Sequence, residues 1–341
     1  LETIFIYLKF GFLIIFFVIL NKLLFFNKGV YMKTRNLIFL FIAVMFAITA
    51  CEDNDNPVNP TDKPAAPTNL QATSKSNTSV LLRWTPSTSE SNSNFDKYVL
   101  TVSGGVYPIQ PFNINKGVSS VEVSNLIEGT IYTFAIVAKF TDGTVSDDTA
   151  KVQWSPATRF TRNQNDAPIW IYETASDYGS GLVIFDPVGD GPKSAKVSNG
   201  GVWNLGLDTR NGKLILASAR LIDYNYNIQP GVTEIANDIY TVESLDDVFD
   251  SQALSSKGFA ERSIDLTQFS SSFVIIVRFK QAGKTDYNYA KVLVKYKNGS
   301  FLQGTSPNRY VEFEISYQKV TGVPYAKVPA ISQDIKINVN K

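Results

Sequence analysis

The stretch Leu126-Ile127-Glu128-Gly129-Thr130-Ile131-Tyr132-Thr133-Phe134 decides the fold of the first half of this chain. A turn over residues 126–129 feeds a run of β-branched and aromatic residues at 132–140, the composition of a strand. Working upstream, residues 98–102 (YVLTV), 80–84 (VLLRW) and 68–72 (TNLQA) repeat the pattern at short intervals, with polar turns between them. Downstream, Asp142-Gly143 predicts a tight turn joining 132–140 to a last strand at 145–154. Strand-like runs so spaced predict a β-sandwich over residues 68–157.

Three features make this unit resemble a fibronectin type III domain. A leucine, Leu70, follows a leading proline, a tryptophan, Trp84, sits on the second strand, and residues 126–132 have the form L-x-x-G-T-x-Y. The resemblance implies an immunoglobulin-like sandwich. It also implies that Tyr132 puts its ring into the core and bonds its hydroxyl back to the 126–129 turn. Such domains act as spacers or adhesive surfaces. The chain has no Arg-Gly-Asp tripeptide, so the expected role is a rigid spacer.

Ser155-Pro156-Ala157-Thr158 marks the boundary to a second region, residues 158–341. Strand patterns recur there at 168–173, 181–186, 202–208, 213–219, 273–279, 289–296 and 310–318. Asn211-Gly212 is a two-residue hairpin signal. In the last of these strands Glu312, Glu314 and Ser316 alternate with Val311, Phe313, Ile315 and Tyr317, predicting one wet and one buried face. Only 245–254 reads as a helical turn or two. The expected class is all-β, with a second, mostly antiparallel β domain.

The runs VWNLGLD (202–208), KLILAS (213–218), FVIIVR (273–278), YAKVLV (289–294) and YVEFEISYQ (310–318) resemble, in this order, the HmuY-type lipoproteins. That resemblance implies an all-β surface protein that captures haem and passes it to an outer-membrane, TonB-dependent transporter. The family holds haem iron through paired His or Met side chains. This chain has no histidine, and its two methionines are Met32 and Met45, so no ligand residue carries across. Tyrosine can ligate haem iron. Asp-Tyr-Asn-Tyr occurs twice, at 223–226 and 286–289. Tyr224, Tyr226 and Tyr287 are therefore the candidate ligand-binding residues, the alternative being that these are turn and strand-end residues.

The N-terminal region locates the protein. Residues 32–51 read MKTRNLIFLFIAVMFAITAC: a basic start, an apolar run shorter than the ~20 residues of a membrane-spanning helix, then small residues. Ile48-Thr49-Ala50-Cys51 resembles the lipobox of bacterial lipoproteins, which implies cleavage before Cys51 and lipidation of its sulfur. Acyl chains anchor by burying CH₂ groups, each worth about 0.8 kcal/mol. Residues 51–67, acidic and proline-rich, predict an extended tether. Their acidic start (Glu52, Asp53, Asp55) resembles the surface-export signal of some Gram-negative lipoproteins, so the expected location is the outer membrane, at the cell surface. Residues 1–31 are apolar, reading either as a transmembrane helix or as a mis-assigned start before Met32.

Composition excludes several chemistries. Without histidine there is no Ser-His-Asp triad, no histidine base and none of the usual zinc sites. A single cysteine forms no internal disulfide. The formal charge of +1 offers no basic stripe for nucleic acid. Residues 186–191 (DPVGDG) approach calcium-loop spacing, but Val188 stands where an oxygen donor belongs, so a turn is expected and no metal site is assigned. The expectation is a non-enzymatic binding lipoprotein for haem or a ferric chelate. The alternative is an adhesion or glycan-binding lipoprotein without metal chemistry.

Overall fold

The computed structural model describes residues 63–197, 202–222, 232–280, 283–326 and 335–338. Residues 1–62, Cys51 among them, and Tyr224 and Tyr226 lie outside the described residues.

Seven strands build the first sandwich: β1 (Thr68–Ser76), β2 (Ser79–Thr85), β3 (Phe95–Ser103), β4 (Phe112–Asn115), β5 (Ser120–Ser124), β6 (Tyr132–Phe140) and β7 (Ala150–Trp154). One sheet runs β1-β2-β5, the other β4-β3-β6-β7. Strand β6 shows why they close on each other. Tyr132, Phe134, Ile136, Ala138 and Phe140 are all buried and alternate with half-buried residues, giving the strand one inward face. Trp84, Tyr98, Leu100 and Trp154 meet them in a single core. Burying each large side chain is worth about 1.5–3 kcal/mol. The Tyr132 hydroxyl accepts from the Ile127 amide at 3.1 Å, so the turn and strand are pinned as the fibronectin type III resemblance implies. Gly143 (φ +94°) makes the expected reversal, capped by Asp142 accepting from the Thr144 amide at 2.8 Å.

The second region adds β8 (Thr158–Phe160), β9 (Ile169–Tyr172), β10 (Gly181–Asp186), β11 (Gly191–Ala195), β12 (Leu205–Asp208), β13 (Ile215–Ser218), β14 (Val232–Thr241), β15 (Phe259–Ala260), β16 (Ser263–Asp265), β17 (Phe273–Lys280), β18 (Asn288–Val294) and β19 (Tyr310–Tyr317). A five-stranded sheet runs β11-β10-β12-β13-β16, and a larger one β15-β14-β17-β18-β19-β8, with β9 also on β19. All pairings among these strands are antiparallel. Leu182, Leu205, Leu207 and Leu216 of the smaller sheet pack on Phe273, Ile275, Val292 and Phe313 of the larger. A last strand, β20 (Ile335–Asn338), runs parallel to β5.

Several details depart from the sequence reading, the short strands β8, β11, β15 and β16 among them. Strand β14 was not expected; its register slips between Ile235 and Ile239, around the strand-averse Asn237 and Asp238. The Asn211-Gly212 hairpin is real, but its loop spans 209–214, because Asp208 pairs with Ile215. Ser316, expected in water, is fully buried, since β8 flanks β19 there and Arg159 pairs opposite it. Residues 186–191 form the β10–β11 turn, with Asp186 accepting from the Val188 amide at 3.1 Å.

The two sandwiches meet without a loose linker. Ser155 and Ala157 are fully buried. Ala72 of β1 exchanges two backbone hydrogen bonds with Asp250. The Gln318 side chain donates to the carbonyls of Pro156 (2.9 Å) and Tyr325 (3.1 Å). Val323 and Tyr325 reach into the core of the first sandwich.

Candidate functional site

At one end of the second sandwich, where its sheets part, a cavity of about 390 Å³ opens beside Phe185, Phe279 and Tyr317. That volume falls within the range of small-molecule sites. Phe185 comes from the end of β10, Phe279 from the end of β17, and Tyr317 closes β19. The strand alternation that fills the core thus also delivers these rings to its mouth.

The three rings stack as a ladder. Tyr317 lies in the middle, 4.7 Å from Phe185 (interplanar angle 23°) and 5.8 Å from Phe279 (13°). Burial, reinforced by the Glu128 carboxylate, pushes the Tyr317 phenol well above its ordinary value, so it stays protonated. Glu128 itself belongs to the turn before β6, where both its oxygens accept from the Thr158 hydroxyl. The first sandwich therefore supplies a charge beside the wall of this cavity.

The rim is polar. Lys284, Asp286, Asn288, Lys319 and Thr321 complete the lining with Pro187. The Lys319 ammonium lies 5.4 Å from the Phe185 ring centre and 2.7 Å from Asp190 of the β10–β11 turn. Asn288 donates to the Gln318 carbonyl at 3.3 Å, tying the start of β18 to the end of β19. Stacked aromatic edges with charges of both signs and hydrogen-bonding groups around them suit a flat organic ligand bearing polar groups.

Among the three tyrosines singled out in the sequence, Tyr287 is the one described. Its neighbours Asp286 and Asn288 line the cavity, whereas Tyr287 turns to the opposite side of the strand. There its ring lies 4.2 Å from the Arg278 guanidinium, which Phe259 covers from 4.4 Å and Glu234 binds at 2.6 Å. Burial, followed by the Glu234 charge, raises the Tyr287 phenol. The cavity residues Phe185, Phe279 and Tyr317 escaped the sequence reading. Each reads there as a core aromatic, and only its place at the end of a strand hints at more. Among the described residues no group of three or more His, Cys, Asp or Glu is placed to hold a metal.

Comparison with known proteins bears on the first sandwich. Residues 65–146 match the family model of the fibronectin type III domain, a binding or spacer module. No curated protein sequence matches the chain. Similar solved structures include the fibronectin type III domain of human collagen alpha-1(XX), at 21% identity and TM-score 0.25, covering 30% of this chain and 92% of that one. A two-domain fibronectin type III segment of chicken tenascin is 11% identical, with TM-score 0.24, covering 68% of this chain and 99% of that one.

Proposed function

We propose that this is a lipid-anchored protein of the outer-membrane surface whose second sandwich binds a flat, acidic organic ligand such as haem or a ferric chelate. The observation that carries the reading is the ladder Phe185–Tyr317–Phe279 at the mouth of the cavity, rimmed by Lys284 and Lys319. The lipobox-like residues 48–51 and the HmuY-like strand order support it from the sequence side. A TonB-dependent transporter would receive the ligand.

The ligand is held by its rings and acidic groups rather than by its metal. The chain has no histidine, and among the described residues the tyrosine lining the cavity, Tyr317, is buried and stacked with Phe185 and Phe279. Lys319 would exchange Asp190 for a carboxylate of the ligand. Titrating the full chain with haem and with metal-free protoporphyrin, followed by absorbance and tryptophan quenching, tests this. Both should bind with similar affinity, and Phe185→Ala should weaken both by about tenfold. Binding of neither overturns the reading; binding of haem alone overturns the metal-free mode.

A further inference from the structure

A second aromatic group lies on the outer face of the same sandwich, where core packing has no use for it. In the β9–β19 pairing, Trp170 stands opposite Glu312 and Tyr172 opposite Tyr310. Their chain neighbours Ile169, Ile171, Val311 and Phe313 point inward and are buried. Period-two alternation therefore puts Trp170, Tyr172, Tyr310 and Glu312 together on the outside. Trp170 stacks on Tyr310 at 4.1 Å and 24°; Tyr172 meets Tyr310 at 6.2 Å and the loop residue Tyr178 at 5.0 Å. Tyr178 is 61% exposed. Further along the same face the pattern changes to charge, with Glu314 bound by Lys295 at 2.6 Å.

The charge around these rings identifies the partner. Arg309 is matched by Glu173 at 2.8 Å, Lys295 and Lys297 by Glu312 at 3.1 and 2.8 Å, and Lys196 by Asp177 at 2.8 Å. Each of these cations lies against a carboxylate, Glu312 serving two of them and Glu314 holding both Lys295 and Arg159, so they present no unpaired cation to a nucleic acid, an anionic lipid or an acidic peptide. It offers ring faces, phenol hydroxyls, and the amide and hydroxyl of Asn308 and Ser176, joined at 2.8 Å. A pyranose has the complementary surface: apolar C–H faces for the rings, and neutral hydroxyls for the donors and acceptors at their edge.

We propose that Trp170, Tyr172, Tyr178 and Tyr310 form a stacking platform for a neutral glycan. It is separate from the cavity: Tyr310 and Tyr317 stand at opposite ends of β19, about 23 Å apart at the usual rise per residue, and on opposite faces. The platform thus stands or falls independently of the haem reading.

Affinity electrophoresis of the full chain through gels containing soluble neutral polysaccharides (β-glucan, xylan, galactomannan and α-glucan) tests this. At least one should retard the protein. Trp170→Ala and Tyr178→Ala should each weaken that retardation by about tenfold, while Phe185→Ala leaves it unchanged. Tyr178 is a surface loop residue, so its variant keeps the fold even if Trp170→Ala loosens β9. Failure of every neutral polysaccharide, retardation by acidic polymers alone, or undiminished binding by Tyr178→Ala and Trp170→Ala overturns the proposal.

Discussion

The Nζ of Lys291 lies 2.5 Å from Oδ2 of Asp250, and the lysine has no exposed surface. Strand β18 causes this: it is buried on both faces, so a residue pointing away from the main core still meets no water. Burial, opposed by the Asp250 charge, lowers the ammonium below its ordinary value. The Trp154 ring of the first sandwich stands 5.6 Å from the same nitrogen, and Asp250 also joins the backbone of Ala72. This ion pair therefore sits where the two sandwiches touch. Asp250→Ala should destabilise by about 3–5 kcal/mol, because it leaves a buried cation without a counter-charge. Lys291→Met should cost less, since Asp250 keeps Lys257 at 3.6 Å. Urea unfolding at neutral pH measures both, and equal losses would contradict the account.

Tyr325 gives the junction a second test. Its ring packs 5.1 Å from Trp154, inside the core of the first sandwich, although it follows the last long strand of the second. Tyr325→Ala should therefore cost about 3 kcal/mol, as deletion of a buried aromatic does. Intact chain should unfold in one calorimetric transition rather than two. Two separate transitions, with only the later one sensitive to Tyr325, would show that the sandwiches stand apart.

A smaller effect is expected at the turn before β6. Tyr132→Phe keeps the buried ring and removes only the hydroxyl that accepts from Ile127. The expected loss is about 1 kcal/mol, the net worth of one hydrogen bond, read from the urea midpoint. A loss several times larger would mean that the hydroxyl organises more than its turn.

The first sandwich was legible because its signals are local. Trp84, the 126–132 turn and the Asp142-Gly143 reversal each fix geometry within a few residues. Strand β14 was not, because its alternation is broken by Ala236-Asn237-Asp238 and its pairing partner lies far along the chain. The cavity was illegible for a related reason: Phe185, Phe279 and Tyr317 are brought together by three separate strands. Tyr287 was singled out by a repeated tetrapeptide, which says nothing of which side of a strand a ring takes. Lys291 reads in the sequence as a solvated charge, and only the segment folded over β18 makes it a core residue.

The proposed lipid anchor at Cys51 can be tested directly. If its sulfur carries acyl chains, an alkyne fatty acid fed to the producing cells should label the protein, and Cys51→Ala should abolish both labelling and sedimentation with membranes. One acyl chain alone binds reversibly, so stable anchoring needs more than one. Unlabelled protein that still pellets would point to a different anchor, and unlabelled soluble protein would remove the surface reading.

The acid limb of stability should depend on Glu173. Its carboxylate is 5% exposed and accepts from Arg309 through Nε at 3.2 Å and Nη2 at 2.8 Å, and from the Arg309 amide at 3.0 Å. The Arg309 hydrogen bond is the main cause holding Glu173 below the ordinary carboxylate range. In the unfolded chain the same group titrates near ~4.3, so between that value and the lower folded one the unfolded state binds more protons. Stability from this pair is therefore complete above the unfolded value and is lost as pH falls through the folded one. Glu173→Gln should cost about 1.5–3 kcal/mol at neutral pH, the range for a charged hydrogen bond. Its deficit should shrink as the pH is lowered into that window, bringing the two melting curves together. A deficit of constant size from neutral to acid pH would show that the loss comes from packing and not from the charge.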